Sequence, residues 1–321
     1  MEVTAGVVGI NMKVCCNRLI CFCSIGNFFF AGARIFFQSL DAAVFLFSRV
    51  SDIPNESLVL PVISTNDRLT LGCELWDCAS ISKLPSGIKR VFYMSSEGCN
   101  LLHEVFPAVN PTVLEQLGKV DCIVYAMGSL FTSICPSLWQ PEAFAHHGQC
   151  VKVPDFAYVL GDGTRKPCQV EAQAYLYSWA IGSSKERDVL NGIGEIIASR
   201  SIPKVLLLNG KHDRETTGLS ASGFVTAITD ALNRTYGDPG KSLKNGPFDY
   251  INALLVPQDG QIPIDLQCLA AQGIFRVVHV DCIHDPKVEA VFEPKSLMKA
   301  LGDLIVEYEQ TDLIMENDQA C

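Results

Sequence analysis

A glycine and three hydroxyl side chains directly follow an apolar run in the sequence VDCIVYAMGSLFTS, which spans positions 120–133. The letters IVY predict a buried strand, because β-branched and aromatic residues favour strands. Gly128 lets the backbone approach a ligand closely, and the hydroxyls of Ser129, Thr132 and Ser133 could help backbone N–H groups to cradle an anion if a helix begins here. An ordinary connection from a strand to a helix is the alternative interpretation.

A second candidate loop, NGKHDRETTG at positions 209–218, is the most polar segment that follows a predicted buried strand. Lys211, His212 and Arg214 could bind phosphate, whereas Asp213 and Glu215 could coordinate a divalent cation or transfer protons. A solvated loop whose charges pair with one another is the alternative.

The cysteines and histidines do not form a pattern that is typical of a metal site. Cys15, Cys16, Cys21 and Cys23 lack the two spaced pairs of a structural zinc site. The adjacent histidines His146 and His147, with Cys150 and Cys168, have no supporting carboxylate or CxxC spacing, so we interpret all of these residues as incidental.

The carboxyl-terminal part of the chain alternates predicted strands with predicted helices. The predicted strands are 204–208, 251–256 and 275–280, and the predicted helices are 220–236, 264–272 and 294–309. This alternation is typical of a doubly wound parallel sheet. Ligands of such sheets lie beyond the carboxyl ends of the strands, and both candidate loops follow predicted strands.

The amino-terminal part is less regular. Its apolar spacing predicts one helix from about Gly26 to Val50, strands at 58–63, 69–75 and 91–94, and a short helix from Asn110 to about Leu117. Residues 139–189 have mixed polarity and no sustained period, and we predict an irregular insertion there.

Composition narrows the class of protein. With 321 residues, of which 48% are hydrophobic, the chain can bury a large core, and its net charge of −10 argues against nucleic acid as a partner. Fourteen scattered cysteines suggest reduced thiols and a cytoplasmic location, with an organelle as the alternative. The apolar run from Leu19 to Ala33 is too short to span a bilayer, so no membrane partner is predicted.

Four short motifs in one order resemble those of the CofD-like proteins, the family of 2-phospho-L-lactate transferase and the YvcK gluconeogenesis factor. AMGSLFTSICPSL is similar to the family's Gly-Pro-Gly-Ser-Leu-Tyr-Thr-Ser-Ile-x-Pro-Asn loop, and SIGNF at 24–28 to its Ser-Ile-Gly-Asn-Leu motif. LPV at 60–62 resembles its Leu-Pro-Val strand, and the 209–216 loop its Asn-x-x-x-Gln-x-Gly-Glu-Thr loop. The resemblance covers roughly 24–138 and 190–310, and it is greatest to plant-type eukaryotic members.

The resemblance implies a Rossmann-like α/β fold, with a mostly parallel, doubly wound sheet and helices on both faces. It implies a nucleotide diphosphate-linked small molecule as the ligand and Mg²⁺ as the cofactor, with the metal-binding residues unknown. The implied catalytic residues are Asp213 and Glu215. The implied substrate- and phosphate-binding residues are Ser24, Gly26, Asn27, Gly128, Ser129, Leu130, Thr132, Ser133, Asn209 and Thr216.

The chain departs from the family pattern in three places. The family's first strand with its Gly-Gly-Thr loop, and its Asp-Asp-Gly-Gly-Ser loop, have no counterpart before Ser24. Residues 139–189 interrupt a family segment, and Ala126 and Met127 replace the usual Gly-Pro. We therefore predict a non-family segment at 1–23 and a single CofD-like domain at 24–321 that lacks the amino-terminal strand and glycine loop.

Three functional hypotheses follow from the resemblance. The first is a transferase that moves a phosphate-linked group from a nucleotide diphosphate donor with Mg²⁺. The alternatives are a nucleotide-sugar-binding metabolic regulator of the YvcK type without turnover, and an inactive truncated isoform. The oligomeric state is open, and the resemblance implies a possible homodimer because dimers are common in the family.

Overall fold

The computed structural model divides the chain into two compact units. Unit 1 comprises Met1–Leu114, Gly128–Leu176 and Arg234–Ser242, and unit 2 comprises Glu115–Met127, Tyr177–Asn233 and Leu243–Cys321. The structure describes residues 25–51, 58–63, 69–75, 88–95, 103–125, 128–138, 158–159, 165–166, 175–176, 178–179, 192–213, 215–234, 242–285 and 289–319. The prediction of one domain over 24–321 stays a prediction.

Unit 1 begins with two helices where the sequence predicted one. Helix α1 spans Ile25–Phe37 and helix α2 spans Leu40–Val50. The single predicted helix was wrong because Gln38 has a φ of 50° and Ser39 caps the second helix, with its side chain accepting a hydrogen bond from the backbone N–H of Ala42. Phe30 and Ala43 are buried between the two helices.

The strands of unit 1 are short and antiparallel. Strand β1 covers Leu60–Pro61, and a three-stranded sheet is formed by β2 (Thr70–Leu75), β3 (Ile88–Ser95) and β4 (His103–Val105) in the order β2-β3-β4. Gly72 lies opposite Phe92, and a Cβ at this glycine would lie 2.6 Å from the Phe92 ring. The glycine therefore makes room for the aromatic ring of the neighbouring strand.

Unit 2 is organised around a parallel sheet. Its four parallel strands are β5 (Cys122–Tyr125), β10 (Lys204–Leu207), β11 (Ala253–Pro257) and β12 (Arg276–Val280), in the spatial order β12-β11-β10-β5. The two-residue strand β9 (Ser178–Trp179) pairs with β5 in the antiparallel direction. These strands confirm the predicted mostly parallel α/β sheet.

Helices and short strands complete the described chain. They are α3 (Pro111–Lys119), a π-helix (Leu130–Ile134), α4 (Cys135–Ser137), β6 (Tyr158–Val159), β7 (Arg165–Lys166), β8 (Tyr175–Leu176), α5 (Ile193–Ser199), α6 (Ala221–Asn233), α7 (Pro247–Tyr250), α8 (Leu266–Ala271), β13 (Cys282–Asp285), β14 (Glu289–Phe292) and α9 (Pro294–Gln319).

The parallel sheet is covered on both faces. Val124, Val205 and Leu255 point to one face and form a core with Leu301 and Leu304 of α9. The strand residues that point to the opposite face are buried as well. On that face, Tyr125 donates its hydroxyl to the backbone carbonyl of Tyr250 in α7, at 2.9 Å. Burial on both faces explains why these strands read as continuous apolar runs in the sequence.

Candidate functional site

The loop that carries Gly128 passes into a helix, as the sequence predicted, but the first turn is a π-helix. The backbone N–H groups of Ser133 and Ile134 both donate to the carbonyl of Ser129, at 2.9 and 3.1 Å. Such wide turns are often found at functional sites. Like any helix start, this one leaves N–H groups of its first residues without helical acceptors.

Gly128 is required by the way the chain folds back on itself. A Cβ at this position would lie 3.1 Å from the Cβ of Ser133, which is tighter than most side-chain contacts. The helix that follows is fixed to the sheet of unit 1, because the buried Tyr93 of β3 donates its hydroxyl to the carbonyl of Pro136, at 3.1 Å. These two contacts constrain the backbone at Gly128 and the helix that follows the loop.

Two hydroxyls of this loop make no hydrogen bond with any residue that the structure describes. Ser129 precedes the π-helix without capping it, and the Ser133 hydroxyl lies beside Gly128. Both residues are half-buried. Their hydroxyls are donors that an anionic ligand could use.

The remaining predicted residues of unit 1 have different positions. Leu130 is completely buried, so only its backbone N–H could contact a ligand. Thr132 is half-buried in the π-helix, and Gly26 and Asn27 lie in the first turn of α1. Ser24, Ala126, Met127 and most of the predicted insertion at 139–189 lie outside the described residues.

In unit 2, the 209–218 loop is anchored at its first residues. Gly210 lies against β14, and a Cβ there would be 2.3 Å from the carbonyl oxygen of Ala290. The carbonyl of Gly210 accepts a hydrogen bond from the backbone N–H of Gln261, at 2.7 Å. This role of Gly210 was not predicted, although an Asn-Gly pair after a strand is a recognisable turn signal.

The Asp213 carboxylate stabilises its own turn. Its Oδ1 accepts hydrogen bonds from the backbone N–H groups of Glu215 and Thr216, at 2.8 and 2.9 Å, and from the Thr216 hydroxyl, at 2.9 Å. Thr216 is fully buried and Glu215 is 9% exposed, whereas Asn209 is half-buried. Unit 2 thus brings Asp213, Glu215 and Thr216 together in one compact turn.

The amino-terminal end of α6, which follows this loop, is occupied by a carboxylate. Asp265 Oδ1 accepts from the backbone N–H of Ser222 at 3.0 Å, and its Oδ2 accepts from the hydroxyls of Ser220 and Ser222. Burial raises the pKa of Asp265, but these hydrogen bonds outweigh burial and hold the pKa below its usual value. The anion position of this helix is therefore filled by the protein itself.

Clusters of metal-binding side chains are absent from the part of the chain that the structure describes. No group of three or more His, Cys, Asp or Glu side chains there could hold a metal ion. With Asp213 Oδ1 committed to its turn, the described residues do not fit a site built from protein carboxylates. The predicted Mg²⁺ stays a prediction.

A comparison with known proteins finds a family model that matches part of the chain. Residues 21–145 match the family model of 2-phospho-L-lactate transferase CofD, and this segment contains the Gly128 loop. Over this segment, the chain is similar to that family. An uncharacterized protein of Saccharomyces cerevisiae, YNL011C, is 23% identical, in an alignment that covers 88% of this chain and 68% of the yeast protein.

Two solved structures of BH3568 from Bacillus halodurans share the fold of this chain. One has a TM-score of 0.54 and 20% identity, and covers 86% of this chain and 71% of that chain. The other, described as a member of the UPF0052 family, has a TM-score of 0.52 and 18% identity. It covers 86% of this chain and 72% of that chain. Both matches support the predicted Rossmann-like α/β fold.

Among the described helices, none is both long enough and apolar enough to cross a membrane. The predictions of a cytoplasmic location, of no membrane or nucleic-acid partner, and of a homodimer stay predictions.

Proposed function

We propose that this CofD-like chain binds a nucleotide diphosphate-linked small molecule and transfers its phosphate-linked group to an acceptor. The observation that carries the proposal is the Gly128–Ser133 loop, where two half-buried serine hydroxyls make no hydrogen bond with the described residues and flank the start of a π-helical turn. Such groups are the donors that phosphate oxygens require.

In this proposal the loop binds the diphosphate and stabilises charge that develops on it. The oxygen of an acceptor hydroxyl bonds to phosphorus and releases its proton to water. The bond from phosphorus to the bridging oxygen breaks, and the nucleoside monophosphate leaves with the added charge. Donors that are fixed before the reaction stabilise this charge without rearranging. Ser129 and Ser133 would donate to the phosphate oxygens, and Gly128 keeps room for them. No step of the proposal uses Mg²⁺.

Binding without turnover is the second candidate function. It is favoured by the Asp213 turn, because a carboxylate oxygen that already accepts three hydrogen bonds is poorly placed to take a proton from an acceptor. In that case the same loop would hold a nucleotide sugar and report its concentration.

Calorimetric titration with GDP and UDP-glucose tests the shared part of both candidates. We expect one of them to bind, and Ser129→Ala to weaken binding about tenfold, the effect of losing one hydrogen bond to a charged group. Ser48→Ala is the matched control, because its hydroxyl donates to the carbonyl of Phe45 within α2. Equal affinity of Ser129→Ala and the wild type would refute the proposed phosphate loop.

Turnover separates the two candidates. Release of a nucleoside monophosphate from the bound compound in the presence of acceptor hydroxyls supports the transferase, whereas tight binding with no release supports the regulator.

A further inference from the structure

The pair of helices α1 and α2 exposes much apolar surface. Its inner side is packed, because Phe30 and Val44 are buried in the core between the two helices. On the outside of the same helix pair, which lies within unit 1, five large apolar side chains are exposed: Ile35, Phe36, Phe37, Phe45 and Val50. Clustered apolar exposure of this kind is typical of surfaces that bind another molecule.

The outer face of α2 carries a regular pattern of charge and apolar surface. Asp41, Phe45 and Arg49 are all exposed and follow one another at intervals of four residues. Residues four apart are neighbours on one face of an α-helix, so these three form a single stripe, which we call the α2 stripe. The guanidinium of Arg49 lies over the Phe45 ring, 5.1 Å from its centroid. A phenylalanine therefore occupies the centre of the stripe, and opposite charges occupy its two ends.

The α2 stripe is complementary to a second copy of itself. If two such helices pair in antiparallel orientation about a two-fold axis at Phe45, the two rings meet at the axis. Asp41 of each copy then faces Arg49 of the other, because every contact in a two-fold interface occurs twice. A parallel pair would instead bring like charges together, which is costly. The order of charges along the stripe thus selects the antiparallel pair.

The net charge of the chain also favours this face as the contact between two copies. Each chain has a net charge of −10, so two copies repel one another over most of their surfaces. Helix α2 contains one acidic and one basic residue, Asp41 and Arg49, and therefore has no net charge. Repulsion between two copies is weakest where two such helices meet.

The exposed apolar area is of the size that a dimer requires. A whole phenylalanine side chain buries roughly 150–250 Å². From the exposed fractions of the five apolar side chains, covering all of them would bury about 600 Å² in each copy. A stable interface buries about 800 Å² per partner, so these side chains supply most of that area.

We propose that the outer face of α2 is the interface of a homodimer, in which two copies pair their α2 stripes in antiparallel orientation. The resemblance of the sequence motifs leaves the oligomeric state open and assigns no surface to it. This inference goes beyond the proposed function and does not depend on it, because the interface uses none of the candidate ligand-binding residues.

Sedimentation velocity of the full chain measures the oligomeric state. We expect a dimer at micromolar concentrations, and we expect Phe45→Glu to raise the dissociation constant about 100-fold or more, because it brings two carboxylates together at the axis. Thermal melts should change little, since Phe45 is 61% exposed. Phe275→Glu is the matched control, because Phe275 is 79% exposed but lies in unit 2, and this variant should remain dimeric.

Charge reversal tests the orientation with variants that keep Phe45. Asp41→Arg and Arg49→Asp each place like charges opposite one another in the antiparallel pair, so each should weaken dimerisation about tenfold. The double variant Asp41→Arg/Arg49→Asp joins opposite charges again and should dimerise within about threefold of the wild type. In a parallel pair none of these three variants would weaken the dimer, and that result would overturn the proposed orientation.

Three other results would overturn the inference as a whole. One is a wild-type chain that stays monomeric at every concentration measured. Another is a dimer that persists in Phe45→Glu. The third is flotation of a monomeric wild type with phosphatidylserine vesicles, which would show that a membrane surface covers this face instead of a second copy.

Discussion

Lys204 allows the sharpest test of the packing in unit 2. This lysine begins strand β10, is 3% exposed, and donates from Nζ to the carbonyl of Asp249, at 2.6 Å. Burial is the main cause that lowers its pKa from 10.5 to about 8, while the nearby charge of Asp249 opposes this change and that of Arg200 adds to it. The folded protein therefore disfavours the charged ammonium.

The magnitude follows from the pKa. A fall from 10.5 to about 8 corresponds to about 3 kcal/mol of destabilisation when the ammonium is charged. Screening by solvent and the loss of the hydrogen bond to Asp249 reduce the gain from removing the charge, the latter by about 1.5 kcal/mol. We expect Lys204→Met to raise the free energy of unfolding by about 1 to 2 kcal/mol at pH 7.

The pH dependence has a definite sign. Below pH 8 the lysine is protonated in both the folded and the unfolded state, and the buried ammonium destabilises the folded protein by the full amount. Between pH 8 and 10.5 the unfolded chain binds more protons than the folded protein, so wild-type stability rises with pH. The advantage of Lys204→Met should therefore shrink across this range.

Urea denaturation followed by circular dichroism, at pH 7 and at pH 10, measures both effects. Lys119→Met is the control, because Lys119 is 45% exposed and pairs with Glu115 on the same helix, and its effect should stay within about 0.5 kcal/mol. The reasoning is refuted if Lys204→Met destabilises the protein at pH 7, or if its advantage is the same at both pH values.

Three further substitutions test other parts of the structure. Gly210→Ala should cost about 1 to 3 kcal/mol of stability, because its Cβ would meet the Ala290 carbonyl at 2.3 Å. Gly302→Ala on α9 should be neutral or stabilising, because its Cβ would meet open space, and thermal melts compare the two variants. Asp265→Asn should cost about 1 kcal/mol at pH 7 by weakening the cap of α6. Since the pKa of Asp265 is lowered by folding, this cost should disappear as the pH falls through that pKa, and a cost that persists in acid would contradict the assignment. Gln38→Gly should stabilise the protein by about 0.5 to 1 kcal/mol, because it relieves the positive φ of 50° between α1 and α2; a lower melting temperature would show that the Gln38 side chain matters more than its backbone.

The parallel sheet of unit 2 was predictable because its strands are buried on both faces. The runs around β10, β11 and β12 are continuously apolar, and each is followed by turn residues and a helical pattern. The predicted bounds agree with the observed strands to within about two residues. Local sequence carries this information because burial of a whole strand requires an uninterrupted apolar run.

Features that depend on distant partners could not be read from the sequence. Asp265 caps α6 from 43 positions away, and the constraint on Gly210 comes from Ala290. The break between α1 and α2 depends on the backbone of Gln38, which has no local sequence signal beyond the serine that follows it. The π-helical turn after Ser129 was also missed, because its wide hydrogen bonds have no distinct residue pattern.

The candidate site residues also differ in whether local sequence or only the observed hydrogen bonds indicate their function. Gly128 and Ser129 are candidates because they follow a buried strand in the sequence and because their motif resembles the family's loop, and their part in binding stays a prediction. The structural function of Asp213 could not be predicted, because an aspartate that stabilises a turn and one that takes a proton have the same local sequence. Only the hydrogen bonds from Glu215 and Thr216 reveal the structural function.

The central claim is that the ligand's phosphates bind at Gly128–Ser133 and not at the amino-terminal end of α6, which Asp265 fills. Hydrogen exchange measured by mass spectrometry, with and without saturating GDP, tests this claim most directly. We expect slower exchange in peptides that cover residues 128–138, and little change at 220–224. Slower exchange confined to 220–224, with none at 128–138, would contradict it.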